Sequence, residues 1–278
     1  MQANNIQEKI LTFVFWFSAF IIVGILLTII FYIMYRGFSA IDLNFILQAP
    51  RHAGREGGIS TTIVGTVYLT LVSLIIAVPL GVGAAIYLEE YASRKSKFAY
   101  LVNLTAETLA GVPSIVFGLF GFVFFVIFLQ MGWSMLSGGM TMAIMILPTI
   151  TRTSQEAILS VPHDYRENSL AVGASKWQTI HRIVLPSAVP GIVTGIILSI
   201  GRTVGETAAL ILTAGSSLGM PLNLMEPART MSVHLYILAM EGISMERAFG
   251  TAFLIIILIV ILNYMANLSL RKLSHAKS

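Results

Sequence analysis

Six apolar runs, each long enough to cross the hydrocarbon of a bilayer, constrain this chain more than any other feature. They cover residues 10–35, 62–88, 99–129, 140–158, 189–214 and 248–268. A helix rising ~1.5 Å per residue needs roughly 20 such residues to span ~30 Å of hydrocarbon. Nothing at that depth but the protein itself can satisfy backbone amides, so only helices and closed barrels are stable there, and these runs lack a barrel's alternation. The expected fold is therefore all-α: a polytopic helical membrane protein of about six transmembrane helices, with residues 1–278 forming a single transmembrane domain. The first run is longer than the ~7–15-residue apolar stretch of a secretion signal, and no small-x-small cleavage site follows it. It reads as an uncleaved anchor.

Between the fourth and fifth runs lies a polar island, residues 162–186, whose local physics predicts a helix–turn–helix. Pro162 opens a helix, and Asp164 and Glu167 place negative charge near its start, where the macrodipole favours it. Gly173 can adopt the left-handed conformation that ends such a helix. Ser175 and Gln178 have the spacing of a capping box, so a second short helix should begin there. Trp177, Ile180 and Val184 recur at helical spacing as its apolar face. Pro186 should end that helix and mark the return to the membrane.

Charge predicts which side the island occupies. With the N-terminus inside, eleven basic residues lie on the inner side (Lys9, Arg94, Lys95, Lys97, Arg152, Arg166, Lys176, Arg182, Arg271, Lys272, Lys277) against five outside (Arg36, Arg51, Arg55, Arg229, Arg247). That asymmetry satisfies the positive-inside rule and puts both termini and the island in the cytoplasm. The basic excess reads as topology and not as nucleic-acid binding. The outer connections 36–61 and 215–247 are the expected surfaces for an extracytoplasmic partner, and 231–240 is an expected re-entrant or interfacial helix. Residues 87–91, Tyr-Leu-Glu-Glu-Tyr, read as an interfacial anchor.

Polar residues inside the apolar runs are functional candidates by default, at ~2.5–3.5 kcal/mol for each central charge on insertion scales. Arg202 and Glu206 are four apart and should share a helix face, with the hydroxyls of Thr203 and Thr207 beside them. An arginine fork suits a tetrahedral oxyanion; the same pair could equally neutralise itself as a structural bridge. The spacings Gly201–Gly205 and Gly191–Gly195–Ser199 should let this helix approach a neighbour closely. Pro113 should bend the third run, leaving Ser114 as a neutral donor beside the bend, which either lines a path or marks a plain packing kink. Glu107 lies near the inner end of that run. No phosphate-cradling Gly-x-x-x-x-Gly-Lys-Ser/Thr occurs, so energy should come from a partner or an ion gradient. Cysteine is absent, which excludes disulfides and thiolate metal sites; the histidines show no ligand spacing, and no metal site is assigned.

Glu167, Gly173, Ile183, Leu185 and Pro186 resemble, in type and spacing, the EAA loop of ABC-importer permeases. In that family the loop docks on the ATPase, which implies a docking role for these residues and for Ala174, Ser175 and Trp177. The runs at 57–70, 85–91, 111–118 and 201–208 are similar to the phosphate-specific permeases of that superfamily, and 228–234 is closer to the PstA-type than to the PstC-type subunit. Asn168-Ser169 stands where the loop usually has Ala-Ala, a departure expected to matter little. The resemblance implies a bacterial plasma-membrane complex with a second, homologous permease, two ATPase subunits carrying ATP and Mg, and an external phosphate-binding protein. Two rivals stay open. One is a permease for molybdate or sulfate, since one arginine does not read the central atom. The other is a gradient-driven transporter with Glu206 as its proton carrier.

Overall fold

A computed structural model describes residues 2–93 and 96–275, so Arg94, Lys95 and Lys277 of the charge count lie outside the described residues. α1 (Gln2–Phe38) is apolar on every side and packs along the last helix, α12 (Met245–His275), with Tyr32 edge-on to Phe249. A short α2 (Leu43–Leu47) is capped by Asp42, whose Oδ1 accepts from the Phe45 amide. After it, β1 (Pro50–Arg51) and β2 (Glu56–Gly57) pair antiparallel. α3 (Ser60–Ile86) then crosses the bundle and ends in a π-helical turn at Tyr87–Tyr91.

The third apolar run is not one helix. α4 (Lys97–Ala110) and α5 (Ser114–Gly121, prolonged by a π-helical stretch at Phe122–Phe128) meet at 106°. Proline lacks an amide donor and its ring collides with the preceding turn, so Pro113 occupies the cap position of α5 and ends helix continuity where a mere bend was expected. Among the described residues, four helices are long and apolar enough to cross a membrane, at Glu8–Phe38, Ser60–Tyr91, Lys176–Gly205 and Met245–Met265, and the bent pair makes a fifth span if counted as one.

α6 (Met135–Leu159), the fourth run, is the centre of the bundle; α3, α4, α5 and the later helix α9 (Leu185–Gly205) all pack on it. Small residues set the spacing. A Cβ on Gly139 would fall 2.4 Å from Val72 of α3, and one on Gly195 of α9 would fall 1.9 Å from the Thr153 hydroxyl. The Gly191–Gly195–Ser199 strip thus meets α6, as its spacing predicts. On the buried face of α3, Thr66, Thr70 and Ser73 each donate to the carbonyl four residues back, and the Thr66 hydroxyl also accepts from the Met231 amide (2.9 Å). Such back-bonding satisfies the hydroxyl donors of polar side chains within an apolar core.

Beyond α6 come α7 (His163–Ala171), α8 (Lys176–Thr179) and α9 (Leu185–Gly205), the last two joined by a π-helical turn at Ile180–Val184. The helix therefore runs on through Pro186, where a stop was expected. The wider turn hands the Leu185 amide to the carbonyl of Ile180, five residues back, and so relieves the crowding a proline ring meets in a regular helix. α10 (Ala208–Thr213) follows a break at Glu206–Thr207. α11 (Met231–Met240) is too short to span and is buried against α12, with smaller contacts to α3, α9 and α10; it is not a surface helix.

The end of the bundle away from the 162–186 loop holds a buried cation. Arg229 donates from Nε to the Ser216 carbonyl (2.9 Å), and its Nη1 lies 3.4 Å from Nδ1 of His234, which is 1% exposed. Burial lowers the pKa of Arg229, and burial followed by the Arg229 charge pushes His234 down to about 4. The neutral imidazole is thus the folded form. Since an unfolded histidine titrates near 6.5, acid favours unfolding between those values, and the stabilisation is complete above about pH 6.5. Thermal unfolding of the purified protein should show stability falling by up to roughly 1.4 kcal/mol per pH unit from about pH 6.5 towards about 4. In His234→Gln that part of the profile should flatten.

Candidate functional site

The 162–186 loop is a rigid hairpin with an apolar, unpaired tip. α7 ends at Gly173, whose φ of +90° is open to glycine and strained for other residues. Ser175 and Gln178 form the full capping box: Ser175 Oγ accepts from the Gln178 amide (3.3 Å) and Gln178 Oε1 from the Ser175 amide (2.8 Å). Ser169 is buried and shares a 2.9 Å hydrogen bond with Thr179, joining α7 to the helix after it. The Asn168-Ser169 departure therefore matters at its second position, which locks the hairpin.

Around the tip, Val172 (85% exposed), Trp177 (58%), Leu170 and Tyr165 stand in the open, with Ala174 half-buried and Gly173 and Ser175 exposed between the two helices. Glu167 is exposed on α7, 3.5 Å from His163. Trp177 was expected on one face with Ile180 and Val184, yet only those two are buried. The π-helical turn breaks the 3.6-residue period after one turn, and Trp177 stacks on His181 instead, with centroids 4.1 Å apart. Ile183, Leu185 and Pro186 are half-buried along the stem, and Leu185 packs against the cluster containing Ala157, Val161 and Val184.

The loop is also tied to a part of the bundle remote in sequence. Arg166 donates to Glu90 Oε1 from Nε (2.9 Å), to the Val161 carbonyl from Nη1 and to the Ile158 carbonyl from Nη2, and its Nη2 lies 2.7 Å from Glu90 Oε1 as an ion pair. Next to it, Gln155 donates to Glu89 (2.8 Å) and Asn103 (3.1 Å), and the Lys176 ammonium sits 5.0 Å over the Tyr91 ring. The 87–91 segment expected as an interfacial anchor is thus a polar hub. Two adjacent carboxylates at the end of an apolar run were the available signal, since a half-desolvated carboxylate needs a cation. A cleft of about 770 Å³ lies between this hub, the start of α4 and the inner side of α7 and α8.

Deeper in the bundle, the expected Arg202–Glu206 pair does not form. α9 ends at Gly205, and Glu206 is extended (φ −75°, ψ 132°), which removes the four-residue register of a shared face. Glu206 Oε1 accepts from the Ala209 amide (3.1 Å), so the carboxylate caps α10, while its carbonyl accepts from the Ser232 hydroxyl. Among the described residues Arg202 forms no salt bridge, and it is half-buried. Thr203 is buried and donates to the Ser199 carbonyl, so its hydroxyl is spent; Thr207 stands half-buried at the break.

Neither Gly201 nor Gly205 has a neighbour where a Cβ would stand, so this end of α9 is open within the chain. α10 packs on α5, with Gly118 backed onto Ala209, which sets the break at Glu206–Thr207 beside the first turn of α5 and its half-buried Ser114. Glu107 lies apart on α4, exposed and 3.8 Å from Arg152.

The family described as binding-protein-dependent transport system inner membrane component matches residues 77–276. The chain is 34% identical over 252 residues to the probable ABC transporter permease protein YqgI of Bacillus subtilis, covering 86% of this chain and 85% of that one. It is 32% identical over 271 residues to the phosphate transport system permease protein PstA 1 of Mycobacterium tuberculosis, covering 95% and 88%. A chain of the bacterial alginate ABC transporter, solved with an alginate pentasaccharide-bound periplasmic protein, shares the fold: TM-score 0.66 at 17% identity, covering 96% of this chain and 94% of that one. With its family match over residues 77–276 and relatives of this identity along most of its length, the protein belongs to the binding-protein-dependent inner membrane components, the permease subunits of ABC importers.

Proposed function

We propose that the chain is the PstA-type subunit of an ATP-driven importer that moves inorganic phosphate into the cytoplasm of a bacterium, across its inner membrane. The observation that carries the substrate is Arg202, a half-buried guanidinium with no carboxylate on it among the described residues, near a helix break. Broken helices place free backbone donors and side chains where an anion can be held at membrane depth, and a guanidinium donates two parallel hydrogen bonds to an oxyanion. The likeness to a phosphate transport permease supports the same substrate. Glu206 is occupied by its cap to Ala209, which argues against a proton carrier there. ATP and Mg would bind two separate ATPase subunits, an external phosphate-binding protein would deliver the anion, and a second, PstC-type permease would complete the path.

The exposed hairpin tip supports the docking role. Clustered aliphatic and aromatic side chains in the open mark interaction surfaces, and here Gly173 and the Ser175 box hold the cluster in one shape. Gly173→Pro fixes φ near −65° where +90° is required. The variant should insert into the membrane and pair with the second permease, yet fail to retain the ATPase on co-purification. Normal ATPase capture and uptake by that variant would remove the docking assignment.

Arg202→Gln should lower labelled-phosphate uptake about 10–100-fold, the equivalent of ~1.5–3 kcal/mol for a charged hydrogen bond, with the complex still assembled. Glu206→Gln keeps an oxygen for the Ala209 amide and should transport within about twofold of the parent, since a capping residue that retains its acceptor loses little. If Glu206→Gln is as damaging as Arg202→Gln, the carboxylate charge itself is needed and the capping role is insufficient. Competition separates the oxyanions: excess unlabelled phosphate should abolish uptake, whereas equal molybdate or sulfate should leave it.

Orientation is tested at Lys97, exposed at the start of α4 near the docking loop, in a chain without cysteine. Lys97→Cys should resist a membrane-impermeant thiol reagent in intact cells and react after permeabilisation. Labelling in intact cells would invert the topology.

A further inference from the structure

The hairpin is covalently joined to the bundle only through its flanks, the end of α6 and the start of α9. Both flanks are potential hinges, so force applied at the tip could bend the loop without moving the helices. The structure supplies a third attachment. Glu90, with its side chain 8% exposed, and Arg166, at 15%, meet across 76 positions of sequence in an ion pair with one hydrogen bond from Nε. Arg166 also holds the Ile158 and Val161 carbonyls at the end of α6 and just beyond it. One side chain therefore fastens α7 to the ends of both α3 and α6.

The π-helical turn at Tyr87–Tyr91 matters here. Its bond from the Ala92 amide to the Tyr87 carbonyl spans five residues. The wider turn rotates the following side chains away from the register α3 would otherwise give, a device frequent at functional positions. Glu89 faces Gln155 of α6, Glu90 faces Arg166 of α7, and Tyr91 lies under Lys176 of α8. From there α3 runs against α6 down the bundle, with Gly81 backed onto Ile150 and Val72 onto Gly139.

We propose that Glu90 and Arg166 form a strut that couples movement of the docking loop to α3, as a positioning pair that touches neither nucleotide nor substrate. This inference rests on the reading of residues 162–186 as the ATPase-docking loop. A strut need not change how fast ATP is hydrolysed; it sets how much transport each hydrolysis yields.

The test replaces the ion pair by a switchable covalent link. Glu90→Cys and Arg166→Cys are introduced together into the otherwise cysteine-free chain. The whole transporter is reconstituted in liposomes, and a short bifunctional thiosulfonate bridges the thiols until a reductant removes it. A transporter lacking the two new cysteines sets the reagent background. Uptake of labelled phosphate and release of phosphate from ATP are measured on the same preparation.

With the link open, ATP hydrolysis should stay within about twofold of the parent while uptake per ATP falls at least about fivefold, the lower end of ordinary coupling effects. With the link closed, uptake per ATP should recover. Equal uptake per ATP in the two states, or less with the link closed, overturns the strut. Should the double variant fail to assemble, Glu90→Gln keeps an acceptor without the charge and should show the same selective loss; parental uptake per ATP there also overturns it. Failure of the docking reading looks different, because Gly173→Pro would then retain the ATPase and transport normally.

Discussion

Every backbone amide within hydrocarbon must find its acceptor inside the protein, and the architecture follows from how this chain meets that demand. Where helices continue, the demand is met locally, and Thr66, Thr70 and Ser73 direct their hydroxyls to the same carbonyls. Where helices break, the freed groups need named partners. At Glu206–Thr207 the carboxylate of Glu206 takes the Ala209 amide and Ser232 takes the Glu206 carbonyl, so a loop that would otherwise be costly is stable inside the bundle. The charge of Glu206 is absorbed by the break, and that leaves Arg202 on the last turn of α9 without its nearest acid. That Arg202 forms no salt bridge among the described residues is thus a consequence of how the backbone is satisfied.

Much of this was legible in the sequence because it depends on near neighbours. Run length identifies apolar helices, and Gly173, Ser175 and Gln178 declare a turn and a cap within six residues. Two of the misreadings share one cause, the assumption that a regular helix continues. Arg202 and Glu206 face together only if α9 runs past Gly205, and Trp177 joins Ile180 and Val184 only without a π-helical turn. Proline was an unreliable guide: Pro113 ended a helix, whereas Pro79, Pro148, Pro186 and Pro190 lie inside helices. What separates these cases is the packing of neighbours that re-satisfy the backbone, which no local pattern records. The Glu90–Arg166 contact was illegible for a simpler reason, since pairing over 76 positions is a property of the folded bundle.

Charge at the loop end of the bundle follows a different logic from charge within it. An exposed pair such as His163–Glu167, both more than two-thirds exposed, contributes little, because water screens it and two flexible side chains must be held. Glu90 and Arg166 are largely desolvated, and the guanidinium also satisfies two backbone carbonyls, so each partner would be left as an uncompensated buried charge without the other. Such a pair is a weak source of net stability compared with apolar packing, yet it is highly directional: a displaced partner cannot be replaced by water or by sliding contacts. Apolar clusters tolerate small slips, whereas a charge-assisted hydrogen bond does not.

That contrast explains why the two kinds of contact are distributed as they are. The interface of α3 with α6 and of α9 with α6 is built from glycine, alanine, threonine and aliphatic side chains, surfaces along which helices can shift as rigid rods. The points that must not slip, where the hairpin meets the helix ends, are held by a buried ion pair, a capping box and the Ser169–Thr179 bond. A transporter that changes shape needs both: smooth faces where helices move past one another and directional joints where motion enters. The small residues of the core and the polar hub at Glu89–Tyr91 are therefore two halves of one mechanical requirement, met by different chemistry at different depths of the same bundle.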